Sequence, residues 1–193
     1  MNSLKFSLIG FVLLIVTSCI KRPEPRQPIE KKSGSFYLQA SVEKNKRRNK
    51  EEENYIQKLI DRDSVNEYHH TSSGFWYYYI AQNTDQSPTP EVGDRVQFHY
   101  NIADLHGNEI LSEKEIGKQI YHIDKSNQEL ISGIRDGLKL MQVGETVTFL
   151  FPSYKAYGYY GYEDYIGPNT PLQCTVTLNS IDKTKPKTDY EEN

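Results

Sequence analysis

Six tyrosines fall within the first thirteen residues of SYKAYGYYGYEDYIGPNTPL, residues 153–172, a stretch that neither alternates like a strand nor repeats like a helix. So much aromatic surface on a connection has two uses. It lines a pocket for a peptide or small ligand, or it packs a long loop onto a sheet. The other residue types that could do chemistry are poorly placed. His69 and His70 are adjacent, His99 and His122 fall on separate expected strands and His106 on a turn, so no element offers three metal ligands. No metal or cofactor is expected. The sequence has no G-x-S-x-G nucleophile turn and no Gly-rich phosphate cradle. With 23 Lys and Arg against 26 Asp and Glu, the formal charge of -3 provides no global basic field, and nucleic acid is not an expected partner.

The two cysteines have different surroundings. Cys174 lies in the alternating run LQCTVTL on the side of Leu172, Val176 and Leu178, which makes it a buried, inert small hydrophobe. Cys19 ends a segment with one early lysine (Lys5), an apolar run from Phe6 to Val16, and small Thr17 and Ser18. That is the layout of a signal peptide, residues 1–18, and the run is too short for a membrane-spanning helix, which needs about 20 residues. Val16-Thr17-Ser18-Cys19 resembles the lipobox of bacterial lipoproteins, which implies acylation of Cys19 and a membrane anchor. No acidic residue stands next to Cys19, so the expected location is the outer membrane, facing the periplasm.

These functional segments need elements to hold them. Residues 19–50 are polar, with Pro23, Pro25, Pro28 and the basic run KNKRRNK, and read as a flexible tether. Residues 51–70 form a helical extension, with Tyr55, Ile56, Leu59 and Ile60 spaced for one face of a short helix. The folded domain covers 71–183, and 184–193 is a polar tail. Within the domain GFWYYYIAQ, RVQFHYNI, QIYHI, ETVTFLF and LQCTVTLNSI read as strands, and ELISGIRDGLKLM reads as a helix. One short helix among five or six strands, without alternating strand–helix units, predicts an antiparallel α+β domain.

The order and spacing of VGDRVQFHYNIADLHGNEI, ELISGIRDGLKLMQVGETVTFLFPSYKAYG and IGPNTPLQCTVTLNSI resemble the FKBP-type peptidyl-prolyl cis-trans isomerases over about 110 residues. The resemblance is carried by I-x-G-x-x-x-G-L at 131–138, M-x-V-G-E at 141–145 and P-x-x-x-A-Y-G at 152–158. It implies an antiparallel sheet curled around the short helix, with an apolar pocket between them. Tyr157 falls on the family's pocket tyrosine, whose hydroxyl donates to a carbonyl of the bound prolyl peptide, and the backbone N–H of Ile131 on a second donor. Tyr100, Ile110, Tyr121, Leu130, Ile134, Ile166 and Cys174 fall on pocket-lining positions. Tyr159, Tyr160 and Tyr162 lie in the variable part of the loop and are expected to pack it or to contact partners.

Departures from the family pattern bear on activity. Leu111 stands where strongly active members commonly carry an Asp, Ile110 replaces the aromatic before it, Ile134 replaces the floor Trp, and Cys174 replaces a Phe. The pocket stays apolar but wider and less aromatic, so weaker catalysis and poor macrolide binding are expected. Glu113 could stand in for the missing acid in principle, without being assigned that role. The architecture as a whole is similar to gliding-motility-associated FKBP-type lipoproteins, which implies proline-containing clients in the cell envelope. Two rival readings share the fold: a catalytically inactive chaperone or scaffold, and a structural lipoprotein whose pocket is closed by its own tyrosines.

Overall fold

The structure is a computed structural model, and it describes residues 33–85, 87–125 and 130–184, with side chains from residue 38 onward. Cys19, the signal segment, most of the expected tether and residues 185–193 lie outside the described residues. The chain divides into two compact units, Met1–Gln39 and Ala40–Asn193. The architecture below is that of the second.

The first helix, α1 (Ser33–Ile60), is 28 residues long, so residues 33–50, expected as tether, are helical. The physical reason lies in the charge runs. Arg47 and Arg48 stand four residues before Glu51 and Glu52, with N···O separations of 3.8 and 3.9 Å, and Lys and Glu are good helix formers. The helix ends where the Asp63 carboxylate accepts hydrogen bonds from the Val65 N–H, the Asn66 side-chain amide and the Tyr68 hydroxyl.

Eight strands are described: β1 (His69–His70), β2 (Trp76–Ala81), β3 (Arg95–Tyr100), β4 (Ile102–Ala103), β5 (Glu109–Leu111), β6 (Gln119–His122), β7 (Thr146–Phe151) and β8 (Leu172–Asp182). They form one antiparallel sheet in the order β1-β2-β7-β8-β3-β6, with β4 joining both β5 and β8. The strands expected from alternation are all present; the two-residue pieces β1 and β4 raise the count above five or six. Two further helices follow, α2 (Glu113–Ile116) and α3 (Ser132–Leu138).

The core lies between α3 and the sheet. Val96, Phe98 and Tyr100 on β3 and Cys174, Val176 and Leu178 on β8 join Phe149 and Phe151 of β7 and Ile134 and Leu138 of α3 in one buried cluster. Burying each such side chain contributes roughly 1.5–3 kcal/mol. Helix and sheet approach closely because Gly133 and Gly137 face the sheet. A Cβ at Gly133 would fall 2.5 Å from Phe151 Cδ1, and one at Gly137 2.8 Å from Phe149 Cε1. The I-x-G-x-x-x-G-L spacing is therefore a contact requirement. The other face of the sheet carries a smaller cluster, in which Ile56 of α1 packs with Trp76 and Leu150.

Candidate active site

Tyr100 ends β3, and Tyr157 follows the 3-10 turn Ser153–Lys155 that leaves β7. The two phenols are neighbours, each affecting the other's ionisation. Desolvation pushes the Tyr100 phenol up to about 12, and desolvation followed by the neighbouring Tyr100 pushes Tyr157 up further. Both are therefore neutral hydrogen-bonding phenols at physiological pH. The Tyr157 ring stacks on Tyr162 at 4.8 Å between centroids, and Tyr162 stacks on Tyr165 at 6.4 Å.

The loop is folded onto the site by its own backbone. The Tyr162 N–H donates to the Ile166 carbonyl at 2.8 Å, Ile166 N–H returns to Tyr162 at 3.1 Å, and Asn169 N–H donates to the Gly158 carbonyl at 2.7 Å. Gly161, at φ 68°, permits this closure, because a Cβ there would lie 2.2 Å from the Ile166 carbonyl oxygen.

Tyr100 and Tyr157 open onto a cavity of ≈ 380 Å³ whose other walls are Ile102, Leu111, Glu115, Ile116, Gln119, Tyr162, Glu163 and Tyr165. That volume is enough for a short peptide segment. Other expected pocket residues belong to the core cluster without lining the cavity. Ile134 and Cys174 are fully covered, Ile166 and Tyr121 nearly so, and Ile110 and Leu130 pack against the cluster half-buried. Ile131 is the N-cap residue of α3 and is 7% exposed. Burial also pushes the Cys174 thiol up, as suits a small apolar packing residue. The cavity thus shares the pocket tyrosines with the expected site but is walled by a different set of side chains.

Several of those walls went unnoticed in the sequence. Gln119 lies two residues before Tyr121 on the same face of β6, and it lines the cavity while Tyr121 is core. Leu111, noted only as a missing carboxylate, is itself a wall. Glu115 belongs to a capping box, in which its carboxylate accepts from the Ser112 N–H at 2.8 Å while Ser112 Oγ accepts from the Glu115 N–H. The S-x-x-E spacing at 112–115 is a legible sign of that helix start. Glu113 points elsewhere: it lies 3.7 Å from His99 Nε2, on a separate surface depression shared with Lys114, Lys118 and Asn179. Tyr162 and Tyr165 line the cavity, whereas Tyr159 and Tyr160 are 71% and 91% exposed.

Comparison with known proteins bears on the fold and the family. Residues 86–179 match the FKBP-type peptidyl-prolyl cis-trans isomerase family. The probable FKBP-type isomerase FkpA of Neisseria meningitidis serogroup B is 31% identical over 145 residues, covering 73% of this chain and 50% of that protein. Human FKBP9 is 30% identical over 94 residues, 49% of this chain and 16% of that protein. The chain thus spans half the length of the FkpA relative and a smaller share of FKBP9. Among solved structures, FkpA from Escherichia coli superposes with a TM-score of 0.57 at 22% identity, covering 94% of this chain and 83% of that one. A peptidyl-prolyl isomerase from Pseudomonas syringae gives 0.55 at 23% identity, covering 72% and 96%. Both share the antiparallel α+β fold seen here. With the matched span and the relatives in agreement, residues 86–179 of this chain belong to the FKBP-type peptidyl-prolyl cis-trans isomerase family.

Proposed function

We propose that this chain catalyses cis–trans isomerisation of Xaa-Pro bonds in proteins of the cell envelope. The observation that carries the reading is the half-buried Tyr157, a desolvated phenol placed with Tyr100 on an aromatic cavity. Rotation about the bond meets a barrier of about 18–20 kcal/mol, set by amide resonance, and needs no nucleophile. A desolvated site lowers it by destabilising the charge-separated planar amide, while hydrogen bonds to neighbouring peptide groups hold the segment with the bond twisted. Here the Tyr157 hydroxyl would donate to a substrate carbonyl other than that of the rotating bond, while the aromatic walls exclude water.

The test is exchange spectroscopy by NMR on a short Xaa-Pro peptide, with wild type and Tyr157→Phe. Wild type should speed exchange, and the variant should lose about three- to tenfold of the gain, the worth of a net hydrogen bond of about 0.5–1.5 kcal/mol. One observation favours a second reading, a proline-binding chaperone without catalysis: Ile134 and Cys174, expected at the pocket, are closed off. Peptide resonances that shift on binding while exchange stays at its unaided rate would select that reading. The half-buried state of Tyr157 argues against a site wholly sealed by its own tyrosines.

The envelope setting rests on the sequence around Cys19. Acylation there would hold the domain at the outer membrane facing the periplasm, where proline-containing segments of envelope proteins, gliding-motility proteins among them, would be its clients. Cys19→Ala should move the protein from the detergent-rich to the aqueous phase in a detergent partition; a protein that partitions identically with and without Cys19 would sink the anchor.

A further inference from the structure

We propose that Glu52 on α1 is a positioning residue for Tyr157, so that the N-terminal helix, outside the family-matched residues 86–179, is a working part of the isomerase site. The inference rests on the isomerase reading above. Its basis is one buried residue, Ser153, at the root of the turn that carries Tyr157. Ser153 is 2% exposed, and each of its polar groups is engaged. Its N–H donates to Glu52 Oε2 at 2.7 Å and its Oγ to Glu52 Oε1 at 2.9 Å. Its carbonyl accepts from the Ala156 N–H at 3.0 Å and the Gly158 N–H at 2.9 Å, the two residues flanking Tyr157. One carboxylate on α1 therefore fixes the residue onto which the Tyr157 turn closes.

Neighbouring bonds hold the turn from both sides. Glu53 accepts from the Tyr154 hydroxyl at 2.8 Å, and that hydroxyl also reaches the Gly74 carbonyl at 3.1 Å. On the α3 side, Ser132 Oγ donates to the Lys155 carbonyl at 3.3 Å, and Lys155 Nζ pairs with Asp136 at 2.9 Å. Ser132 is the residue after Ile131. The two positions assigned as donors to the peptide are thus joined through Lys155, and α1 closes the opposite side.

Apolar contact also holds α1 on the sheet, where Ile56 packs with Trp76 and Leu150 and with Ile60, Tyr68 and Leu105 beside them. A largely buried carboxylate costs free energy unless it is hydrogen-bonded, so Glu52 adds direction to a contact that apolar packing already makes. Directional bonds matter where a donor must meet a carbonyl beside a twisted amide, since a small misplacement of a catalytic group lowers the rate steeply.

The experiment compares Glu52→Ala, Glu52→Gln, Ser153→Ala and Ile56→Val in the full chain. It reads thermal stability, saturation kinetics on an Xaa-Pro peptide, and the NMR resonances of the Tyr157 ring. Glu52→Ala should lower kcat about five- to tenfold with KM little changed, since the interaction it disturbs is one made in the transition state. It should also shift the Tyr157 ring resonances. Glu52→Gln can still accept from the Ser153 N–H and donate to its Oγ, so it should recover much of the loss, and Ser153→Ala should fall between. Ile56→Val loosens the same helix by one buried methyl group without touching the turn, and should change kcat less than twofold. Activity that falls in proportion to stability across all four variants, or Tyr157 resonances unmoved in Glu52→Ala, overturns the proposal. Should Glu52→Ala not fold, Glu52→Gln and Ser153→Ala decide it by the same readouts. If wild type itself does not speed exchange, the isomerase reading fails separately, and the Tyr157 resonances with peptide affinity still judge the clamp.

Discussion

At the scale of single residues, the cavity is defined as much by charge as by aromatic surface. Glu115 and Glu163 line it together with four tyrosines, and no Lys or Arg is among its walls. The Ser112 hydroxyl and N–H hold the Glu115 carboxyl below the usual carboxylate range, so this group is an anion at neutral pH. A cationic side chain next to the proline would meet both a carboxylate and aromatic faces. Peptides with Lys before Pro should therefore bind about three- to tenfold tighter than those with Glu, from cation–π and exposed ion-pair contributions. The preference should shrink in Glu115→Gln, whose glutamine preserves the capping box, and at high salt, since screening acts over about 10 Å at 0.1 M. NMR titration of matched peptides measures this; equal affinities for Lys-Pro and Glu-Pro peptides would show that the wall charges do not select. None of it was legible in the sequence, because placing Glu115 and Glu163 on one cavity requires α2 and the tyrosine loop to meet. Tyr157 and Tyr100 were legible there only through the resemblance to the isomerase family.

At the scale of elements, legibility followed the range of the forces involved. β3 and β8 are written in two-residue alternation, β7 in a short apolar run buried on both faces, and α3 in the spacing of Ile134, Leu138 and two glycines, so each was readable locally. The short α2 was readable from its capping box and was overlooked. α1 was read too short: its basic stretch resembles a solvated charge run until the four-residue offset to Glu51 and Glu52 is counted. The closure of the tyrosine loop lay beyond reach. It depends on left-handed residues at Gly158, Gly161, Glu163 and Asn169 and on the stacking of Tyr162 on Tyr157. The contact between Glu52 and Ser153 spans 101 residues of chain and has no local signature at all. Extensions outside a family's matched span therefore have to be read in the fold before they are dismissed as linkers.

At the scale of the whole molecule, the tyrosines that opened the sequence are a stability device as well as a site. Of the fifteen, Tyr68, Tyr79, Tyr100, Tyr154 and Tyr157 have phenols pushed up, in each case chiefly by desolvation. Hydrogen bonds to carboxylates add to this in two of them, donated by the Tyr68 hydroxyl to Asp63 and by the Tyr154 hydroxyl to Glu53. The raised value means that the folded state prefers the neutral phenol more strongly than the unfolded chain does. Their contribution is therefore complete below the unfolded value of about 10 and is lost as pH rises through the folded values. On this account the thermal midpoint should be level from about pH 7 to 9 and fall above about pH 10. In an alkaline titration, part of the tyrosinate absorbance should appear only together with loss of the far-ultraviolet signal, because these phenols ionise as the sheet opens. Full tyrosinate development near pH 10 with the fold intact would show that the five phenols are solvated in the native state. That result would remove the desolvated character on which Tyr157 depends as a donor, so the stability measurement also bears on the catalytic reading.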